Sequence, residues 1–476
     1  MQLPRFDDRW AALALIAALA LSLVVYWPGL TSPFHGDDYR YLLASRDMSG
    51  GAFLRDAFYP WADTAGSEIA ADHWRPLSWT WFRVQYVVFG EDPLGYHLTS
   101  LAAHLAGVWV VWLLARRLSF HPLGVAAATL AFAVHPAGFE SVTWIAALSL
   151  VGFPLALGGL LAFMAAAELP GGRKRCLYHA LALFLITAGL LNRETAVAVF
   201  PALGCWYLLV GRRASLRERR AYFPLVPYVA LVAVYALAST WFFTVRSDQK
   251  LSADVGALEN GWFYVQQALV PTTMEGNSLV TGTQQALGVA VLCIPLVALA
   301  ARRRVLLALS LGFLGAIVPY AMFNVGRGPR YFYFPGAFLA LVAGSAVTEL
   351  VPVLAGAAKG RMAAVAARVG LVAIASVVGV VGNRRVANYV ETVPEVQQRW
   401  VNDLKRIYPE LPDGGTLYVT NVPFRMGLLN GFVLQPTVDY LYPEGTHPVK
   451  MFYRVNLEDV RPWLEPDDRL FVFGEQ

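Results

Sequence analysis

Two adjacent carboxylates, Asp37 and Asp38, lie in the sequence Phe34–Tyr39, just after the first long apolar segment of the chain. Carboxylates at the start of a helix can accept hydrogen bonds from the unpaired backbone N–H groups there. A carboxylate can also act as a general base, which takes the proton from a hydroxyl group as that hydroxyl attacks a substrate. The sequence leaves both roles open for this pair.

Several arginines outside the apolar segments are suited to binding a phosphate group. A planar guanidinium group offers a fork of donors that matches phosphate oxygens. The candidates, with one neighbouring tyrosine, are Arg75, Arg193, Arg327, Arg330 and Tyr331. Glu194 follows Arg193 directly and could neutralise it. We therefore expect Arg330, which has no acidic neighbour in the sequence and borders an aromatic run, to contact a phosphate more directly than Arg193.

Arg75 precedes an aromatic stretch that reaches Phe89 and is typical of a helix lying at a lipid interface. Pro76 suits the first turn of that helix. The helix itself is interpreted as a membrane anchor, but Arg75 comes before it and is free to face a cavity.

Histidines and acidic residues recur within or next to the apolar segments. His97 and His104 are seven residues apart and share one helical face; with His135 and Glu140 they raise the question of a metal site. Zinc-binding helices typically use a shorter spacing such as i, i+4, so packing inside a helical bundle is favoured. The residues expected to line a cavity near the outer surface are His35, His73, His97, His104, His135, Glu140 and Glu194.

The composition predicts a membrane protein, because 57% of the 476 residues are hydrophobic and only 15% are charged, against about 25% charged residues in soluble domains. A helix that crosses a bilayer needs about 20 mostly apolar residues. Segments of this kind predict eleven spans, near residues 10–30, 96–116, 122–138, 142–167, 177–191, 194–210, 224–245, 282–301, 304–323, 334–352 and 362–382.

The basic residues predict the orientation of these spans. All six basic clusters fall on one side, which the positive-inside rule assigns to the cytoplasm. The N-terminus is then cytoplasmic, while loops 31–95 and 246–281 and everything after residue 383 lie outside. The first apolar segment is longer than the 7–15-residue core of a signal peptide, so we interpret it as an uncleaved anchor. We expect the plasma membrane of a bacterium or archaeon.

The composition changes after residue 383, which divides the chain into a membrane domain, 1–383, and a small outer domain, 384–476. The outer domain is predicted to be α/β. Its predicted elements are a helix over Pro394–Tyr408, with Val396, Trp400, Leu404 and Ile407 on one face, and strands over Thr416–Thr420, Met451–Val455 and Leu470–Phe473. The fold class is therefore mainly α, a polytopic membrane protein with a small α/β domain.

Nucleotide-binding sequence patterns are missing from this chain. The sequence contains neither a Gly-x-x-x-x-Gly-Lys-Ser/Thr phosphate loop nor a Gly-x-Gly-x-x-Gly turn after a strand. An activated substrate for an outer site must then reach it by another route, and a lipid-phosphate-linked donor is available there. We expect membrane lipids and such a donor as partners, and no nucleic acid.

The order of several short motifs resembles the membrane glycosyltransferases of the GT-C superfamily, and in particular the protein O-mannosyltransferase-like branch that elsewhere carries TPR repeats. The resemblance runs from about residue 10 to 345. The motifs are Asp37-Asp38, Arg75-Pro76-Leu77, Phe89–His97 with His104, His135-Pro136, Glu140-Ser141-Val142, Arg193-Glu194, and Arg330-Tyr331 with Pro335. A TPR array is missing, so the acceptor class is open.

The resemblance implies transfer of a sugar from a polyprenyl-phosphate donor to a hydroxyl group of a glycan, lipid or protein acceptor at the outer face, with inversion. It places the catalytic base in the acidic pair, and Asp37 is favoured over Asp38. The arginines would hold the donor phosphate as charge develops on it. A divalent cation bound partly by Asp38 is possible, but the sequence does not require one.

Two other functions share the same lipid-linked substrate. A transporter or flippase would also use arginines at the outer face, but the halves of the chain show no inverted repeat or matched pair of broken helices. A polysaccharide polymerase or ligase would not explain the acidic pair directly after the first span.

Overall fold

The computed structural model describes residues 8–58, 74–147, 149–211, 218–246, 255–269, 278–322, 328–357, 361–421, 431–452 and 460–472. The helices in these ranges are α1 Asp8–Tyr26, α2 Asp38–Asp47, α3 Gly50–Phe58, α4 Pro76–Phe89, α5 Pro93–Arg117, α6 Pro122–Ala133, α7 Phe139–Thr143, α8 Ser149–Glu168, α9 Gly172–Asn192, α10 Val199–Trp206, α11 Val226–Arg246, α12 Val255–Gln266, α13 Ser278–Ala300, α14 Arg304–Met322, α15 Tyr333–Ala357, α16 Arg361–Thr392, α17 Pro394–Ile407 and α18 Gly431–Leu441. The strands are β1 Leu417–Thr420, β2 Val449–Phe452 and β3 Arg469–Val472.

The predicted membrane spans are confirmed. Within the described residues, eleven helical segments are long and apolar enough to cross a membrane, and the chain is an integral membrane protein. The last helix, α16, has 32 residues and continues without a break past residue 383, where the sequence predicts a domain boundary. The division into two domains stays a prediction.

Local sequence signals explain where several helices begin. Helices α4, α5, α6 and α17 each start at a proline. Proline has no N–H, and at the first position of a helix an N–H would have no acceptor within the helix, so nothing is lost there. Asp92 caps α5 by accepting a hydrogen bond from the backbone N–H of Leu94 at 3.0 Å. These signals fix the helix that carries His97 and His104, and the helix that follows Arg75.

The membrane helices pack around one apolar core. Phe153, Phe163, Phe313 and Phe338 in this core are almost completely buried. Helices α6 and α15 approach very closely, because a side chain at Gly124 or Gly344 would collide with the other glycine's carbonyl oxygen. Small residues at such crossings are the usual means of bringing membrane helices together.

A second apolar cluster lies outside the bundle and joins the first loop to the C-terminal part of the chain. From the loop come Phe34, Tyr41 and Phe82, and from the C-terminal part come Trp400 and Leu404. Helices α2, α3 and α4 therefore share one core with α17, α18 and the strands.

The C-terminal strands form a three-stranded parallel sheet in the order β2-β1-β3. Leu417 on the central strand pairs with Val449 on one side and with Arg469 on the other. Three strands and the helix α17 are therefore where the sequence predicts them, although residues 453–455 of the second predicted strand lie outside the described residues.

Two details of the C-terminal part differ from the sequence analysis. Ile407 is 51% exposed, although the helical period places it on one face with the buried Trp400 and Leu404; Gln397 and Val401 are buried as well. Helix α18 is an additional element, and its Pro436 explains why it is missing from the predicted elements, since proline is unfavourable inside a helix.

Candidate active site

The two adjacent carboxylates have different environments. Asp38 is completely buried, and its oxygens accept hydrogen bonds from the backbone N–H groups of His35 at 2.9 Å and Ala146 at 2.7 Å. Asp37 is half-buried at the N-terminus of α2, and its side chain makes no capping hydrogen bond to the described backbone. Asp38 is therefore the residue that holds the loop together, while the capping role is not observed for Asp37.

Burial determines the protonation of the groups around Asp38. Burial raises the pKa of Asp38 to about 8, in opposition to its two backbone hydrogen bonds, and the charge of Asp37 adds to the increase. Burial also lowers the pKa of His35 to about 3, so this imidazole is neutral. Its Nδ1 lies 3.2 Å from the carbonyl of Pro33 and its Nε2 lies 2.9 Å from the hydroxyl of Tyr389. Because a carbonyl only accepts, Nδ1 carries the proton and Tyr389 donates to Nε2.

Arg330 has no acidic neighbour in the sequence, but it has an acidic partner from a distant segment of the chain. Its Nη1 donates to Oε1 of Glu140, and its backbone N–H donates to Oε2 of the same carboxylate at 3.2 Å. Its guanidinium also lies over the rings of Trp144 and Tyr331, at 5.1 Å and 4.8 Å from their centroids. Glu140 and Arg330 are 190 residues apart, which is why the sequence does not reveal the pair.

A second buried ion pair joins Arg75 to Glu194. Nε of Arg75 donates to Oε2 at 2.7 Å, and Nη2 donates to Oε1 at 2.5 Å. Pairing with Glu194 raises the pKa of Arg75 although burial opposes the increase. Glu194 therefore forms its two-pronged contact with a distant arginine, while the Nε of the adjacent Arg193 lies 4.0 Å from Oε1 in a longer ion pair.

Arg193 is consequently a buried cation with unused donors. The residue is 6% exposed, and its Nε and Nη1 have no hydrogen-bond partner among the described residues. Burial, followed by the positive charge of Arg75, lowers the pKa of Arg193. The backbone of Arg193 is extended. The residue therefore belongs neither to α9 nor to the short 3-10 helix Glu194–Ala198 that follows it.

The three arginines form one cluster with Tyr331. Arg75, Glu194, Tyr331 and Arg330 all act electrostatically on Arg193. Among the described residues, three guanidinium groups share two carboxylates here, those of Glu194 and Glu140, so the cations outnumber the carboxylates by one. We refer to Arg75, Arg193 and Arg330 as the arginine cluster.

The arginine cluster adjoins the loop that carries Asp37. The Trp144 ring below Arg330 also lies 6.0 Å from the ring of His35, and a Cβ on Gly36 would be 3.3 Å from it. On the other side of the loop, the charges of Arg75, Asp37 and Arg193 all act on the buried hydroxyl of Tyr41, whose pKa is raised mainly by burial. A carboxylate, a buried cation and aromatic rings therefore meet at one place.

The remaining candidate histidines make contacts within the protein. His97 Nε2 lies 2.7 Å from the carbonyl of Ser32, His104 Nδ1 lies 2.7 Å from the hydroxyl of Tyr333, and His135 Nε2 lies 3.1 Å from the carbonyl oxygen of residue 268. These three side chains are bonded into the protein at separate places and do not converge on the arginine cluster.

Two candidate residues and the possible metal site have not yet been placed in the structure. His73 and Arg327 lie outside the described residues. Both oxygens of Asp38 already bind backbone N–H groups, and in the described ranges no three metal-ligating side chains meet. The described residues therefore offer no ligand set for the divalent cation that the sequence left open.

Three residues of the site were not found from the sequence: Trp144, Tyr389 and Tyr41. Trp144 follows the Glu140-Ser141-Val142 motif closely, so its position could have been suspected. Tyr389 and Tyr41 carry no comparable signal, because each acts through a contact with a distant part of the chain.

The fold matches that of a solved crystal structure. The crystal structure of ArnT from Cupriavidus metallidurans in the apo state superposes with a TM-score of 0.51 at 16% identity, and the match covers 97% of this chain and 90% of that one. The chain has the GT-C fold. The fold implied by the sequence resemblance is thereby confirmed.

The similar sequences are protein O-mannosyl-transferases. Tmtc1 of Drosophila melanogaster is 39% identical over 132 residues, which cover 27% of this chain and 15% of that protein. Human TMTC3 is 29% identical over 182 residues, which cover 37% of this chain and 19% of TMTC3. No protein-family model matches the chain. The chain is similar in sequence to protein O-mannosyl-transferases, as its motifs predict, and it spans about a fifth or less of the length of these curated relatives.

Proposed function

We propose that this protein is a glycosyltransferase that moves a sugar from a polyprenyl-phosphate donor to an acceptor hydroxyl at the outer face of the plasma membrane. The observation that carries the proposal is the buried guanidinium of Arg193, whose Nε and Nη1 have no hydrogen-bond partner among the described residues, next to a loop that presents Asp37. The names of the similar sequences make a mannosyl donor and a protein hydroxyl the first pair to test.

The donor phosphate binds to Arg193. A buried charge without a partner is unfavourable, and a phosphate oxygen supplies the acceptors that Nε and Nη1 lack. Arg75 and Arg330 stay fixed by Glu194 and Glu140 and add positive charge around the phosphate. Pre-oriented cations of this kind stabilise the charge that builds on a leaving phosphate.

Asp37 is the general base. Asp38 is fully buried and both of its oxygens bind backbone N–H groups, whereas Asp37 is half-buried at the loop that adjoins the arginine cluster. As the acceptor oxygen bonds to the anomeric carbon, its proton passes to Asp37. The bond from that carbon to the phosphate oxygen breaks, and its electron pair stays on the polyprenyl phosphate. Attack from the side opposite the phosphate inverts the anomeric centre.

Transfer is tested with the purified chain in lipid vesicles, labelled undecaprenyl phosphate mannose and a serine- and threonine-containing peptide. We expect labelled peptide and free undecaprenyl phosphate in equal amounts. Label that crosses the bilayer while still attached to the lipid would indicate a flippase and contradict the proposal. A panel of other undecaprenyl phosphate sugars, and of glycan acceptors, then defines the two substrates.

A further inference from the structure

The loop that carries Asp37 is held by side chains from the C-terminal part of the chain. The backbone N–H of Gly36 donates to Oε1 of Gln397 on α17 at 2.7 Å. Tyr389 on α16 binds His35 of the same loop, as described above. The loop is therefore attached at two successive residues to a segment more than 350 positions away in the sequence.

The contact with Gln397 falls at a turn whose geometry sets the position of Asp37. The N–H of Asp38 donates to the carbonyl of His35 at 3.2 Å, so Gly36 and Asp37 are the two central residues of the turn. Gly36 has φ of +60°, which favours glycine, and a Cβ there would press against Trp144. The turn leaves the N–H of Gly36 unused, and Gln397 binds it.

Gln397 is a costly residue for a role in packing alone. It is 2% exposed, and its Nε2 is buried with no hydrogen-bond partner in the described part of the chain. An unsatisfied buried donor of this kind costs about 1–3 kcal/mol. An apolar side chain of the same size would avoid that cost, so the specific contribution of the glutamine is its oxygen, which accepts from Gly36.

We propose that the C-terminal segment completes the active site, with Gln397 as a positioning residue for Asp37. The inference rests on the proposed function, because it assigns Gln397 a role in placing the base. The continuous apolar core that Trp400 and Leu404 share with Phe34 keeps α17 fixed against the loop. The C-terminal segment is thus part of the catalytic structure and not a separable acceptor-binding module.

Small displacements of a general base have large effects. Proton transfer needs the base within about 2.6–3.2 Å of the hydroxyl, and a shift of about 1 Å can cost on the order of 10²-fold in rate. Loss of the Gln397 contact should therefore lower kcat by roughly 10-fold or more. The KM for the lipid donor should stay within about 2-fold, because the arginine cluster is held by other elements.

The test compares Gln397→Met, which removes the acceptor, with Gln397→Glu, which keeps it. Gln398→Met is the matched control, because the hydrogen bond from Gln398 to Asn402 is exposed. Hydrogen exchange of the peptide covering residues 34–41 reports the loop directly, without reference to activity. We expect faster exchange and lower kcat in Gln397→Met, and wild-type values in Gln398→Met.

Gln397→Glu adds a second measurement, the pH profile of turnover, which a purely structural role of Gln397 would not change. Its negative charge next to the loop should raise the pKa of the Asp37 base and move the acid limb of the pH profile to higher pH, with exchange close to wild type. Unchanged exchange or unchanged kcat in Gln397→Met overturns the positioning role. A wild-type protein that transfers no sugar overturns the proposed function instead, and hydrogen exchange then still reports whether Gln397 holds the loop.

Discussion

Replacement of Arg193 by methionine should stabilise the empty protein and weaken its binding of the donor phosphate. Nε and Nη1 of Arg193 are buried and have no hydrogen-bond partner among the described residues. Burial of an unsatisfied charged donor costs about 1–3 kcal/mol or more. Methionine fills a similar volume without a charge, so the free energy of unfolding should rise by about 1–3 kcal/mol. The same change removes the guanidinium fork from the phosphate, and affinity should fall by roughly 10- to 100-fold.

Two measurements on the same purified samples check this opposite behaviour. Thermal unfolding in detergent without donor reports stability, and titration with undecaprenyl phosphate reports binding. Arg399→Met is the control, because Arg399 is exposed on α17, and it should change neither value. An Arg193→Met protein that is less stable than wild type and binds undecaprenyl phosphate equally well would show that Arg193 has a structural role and would refute the reasoning.

Three further predictions concern the neighbouring charges. Arg75→Met should destabilise the protein by about 3–5 kcal/mol, because it removes the two-pronged partner of the buried Glu194 carboxylate, and a thermal unfolding midpoint equal to wild type would contradict this. Glu140→Gln should tighten binding of undecaprenyl phosphate several-fold by releasing Arg330, and weaker binding in the titration would contradict it. Asp38 has a pKa raised to about 8, so in the folded state it keeps a proton that the unfolded chain loses above about pH 4; its contribution to stability should fall as pH rises from about 4 to 8, by up to about 1.4 kcal/mol per unit. Buried His35, whose pKa is lowered to about 3, acts in the opposite direction below about pH 6.5, in wild type and variant alike. The stability of wild type relative to Asp38→Asn should therefore fall across about pH 4 to 8, and a constant difference in unfolding free energy would contradict this.

The elements could be predicted from the sequence because their causes are local. A span needs about 20 apolar residues, and helix α17 shows its amphipathic period directly. Helix α18 was missed because Pro436 contradicts a helix locally, while the surrounding core at Val433, Leu434 and Val438 stabilises it. The exposure of Ile407 could not be predicted, because the period gives the residues that share a face but not how much of that face is buried.

The partners within the site could not be predicted, because they join distant segments. Arg75 and Glu194 are 119 residues apart, and the adjacency of Arg193 and Glu194 gave no sign that Arg75 makes the closer ion pair with Glu194. In the fold, Glu194 forms its close ion pair with Arg75, and Glu140 forms one with Arg330. Arg193 is the arginine of the cluster whose Nε and Nη1 make no hydrogen bond to the described residues. The sequence could name the arginines but not their order of importance.

The central claim, that Asp37 is the base of a sugar transfer, is tested most directly by the turnover of Asp37→Asn. Asparagine has the same shape and is an equally good helix cap, so stability and binding of undecaprenyl phosphate should remain at wild-type values. Removal of the proton acceptor should lower the rate of transfer from undecaprenyl phosphate mannose by about 10²-fold or more. Wild-type turnover in Asp37→Asn would contradict the account.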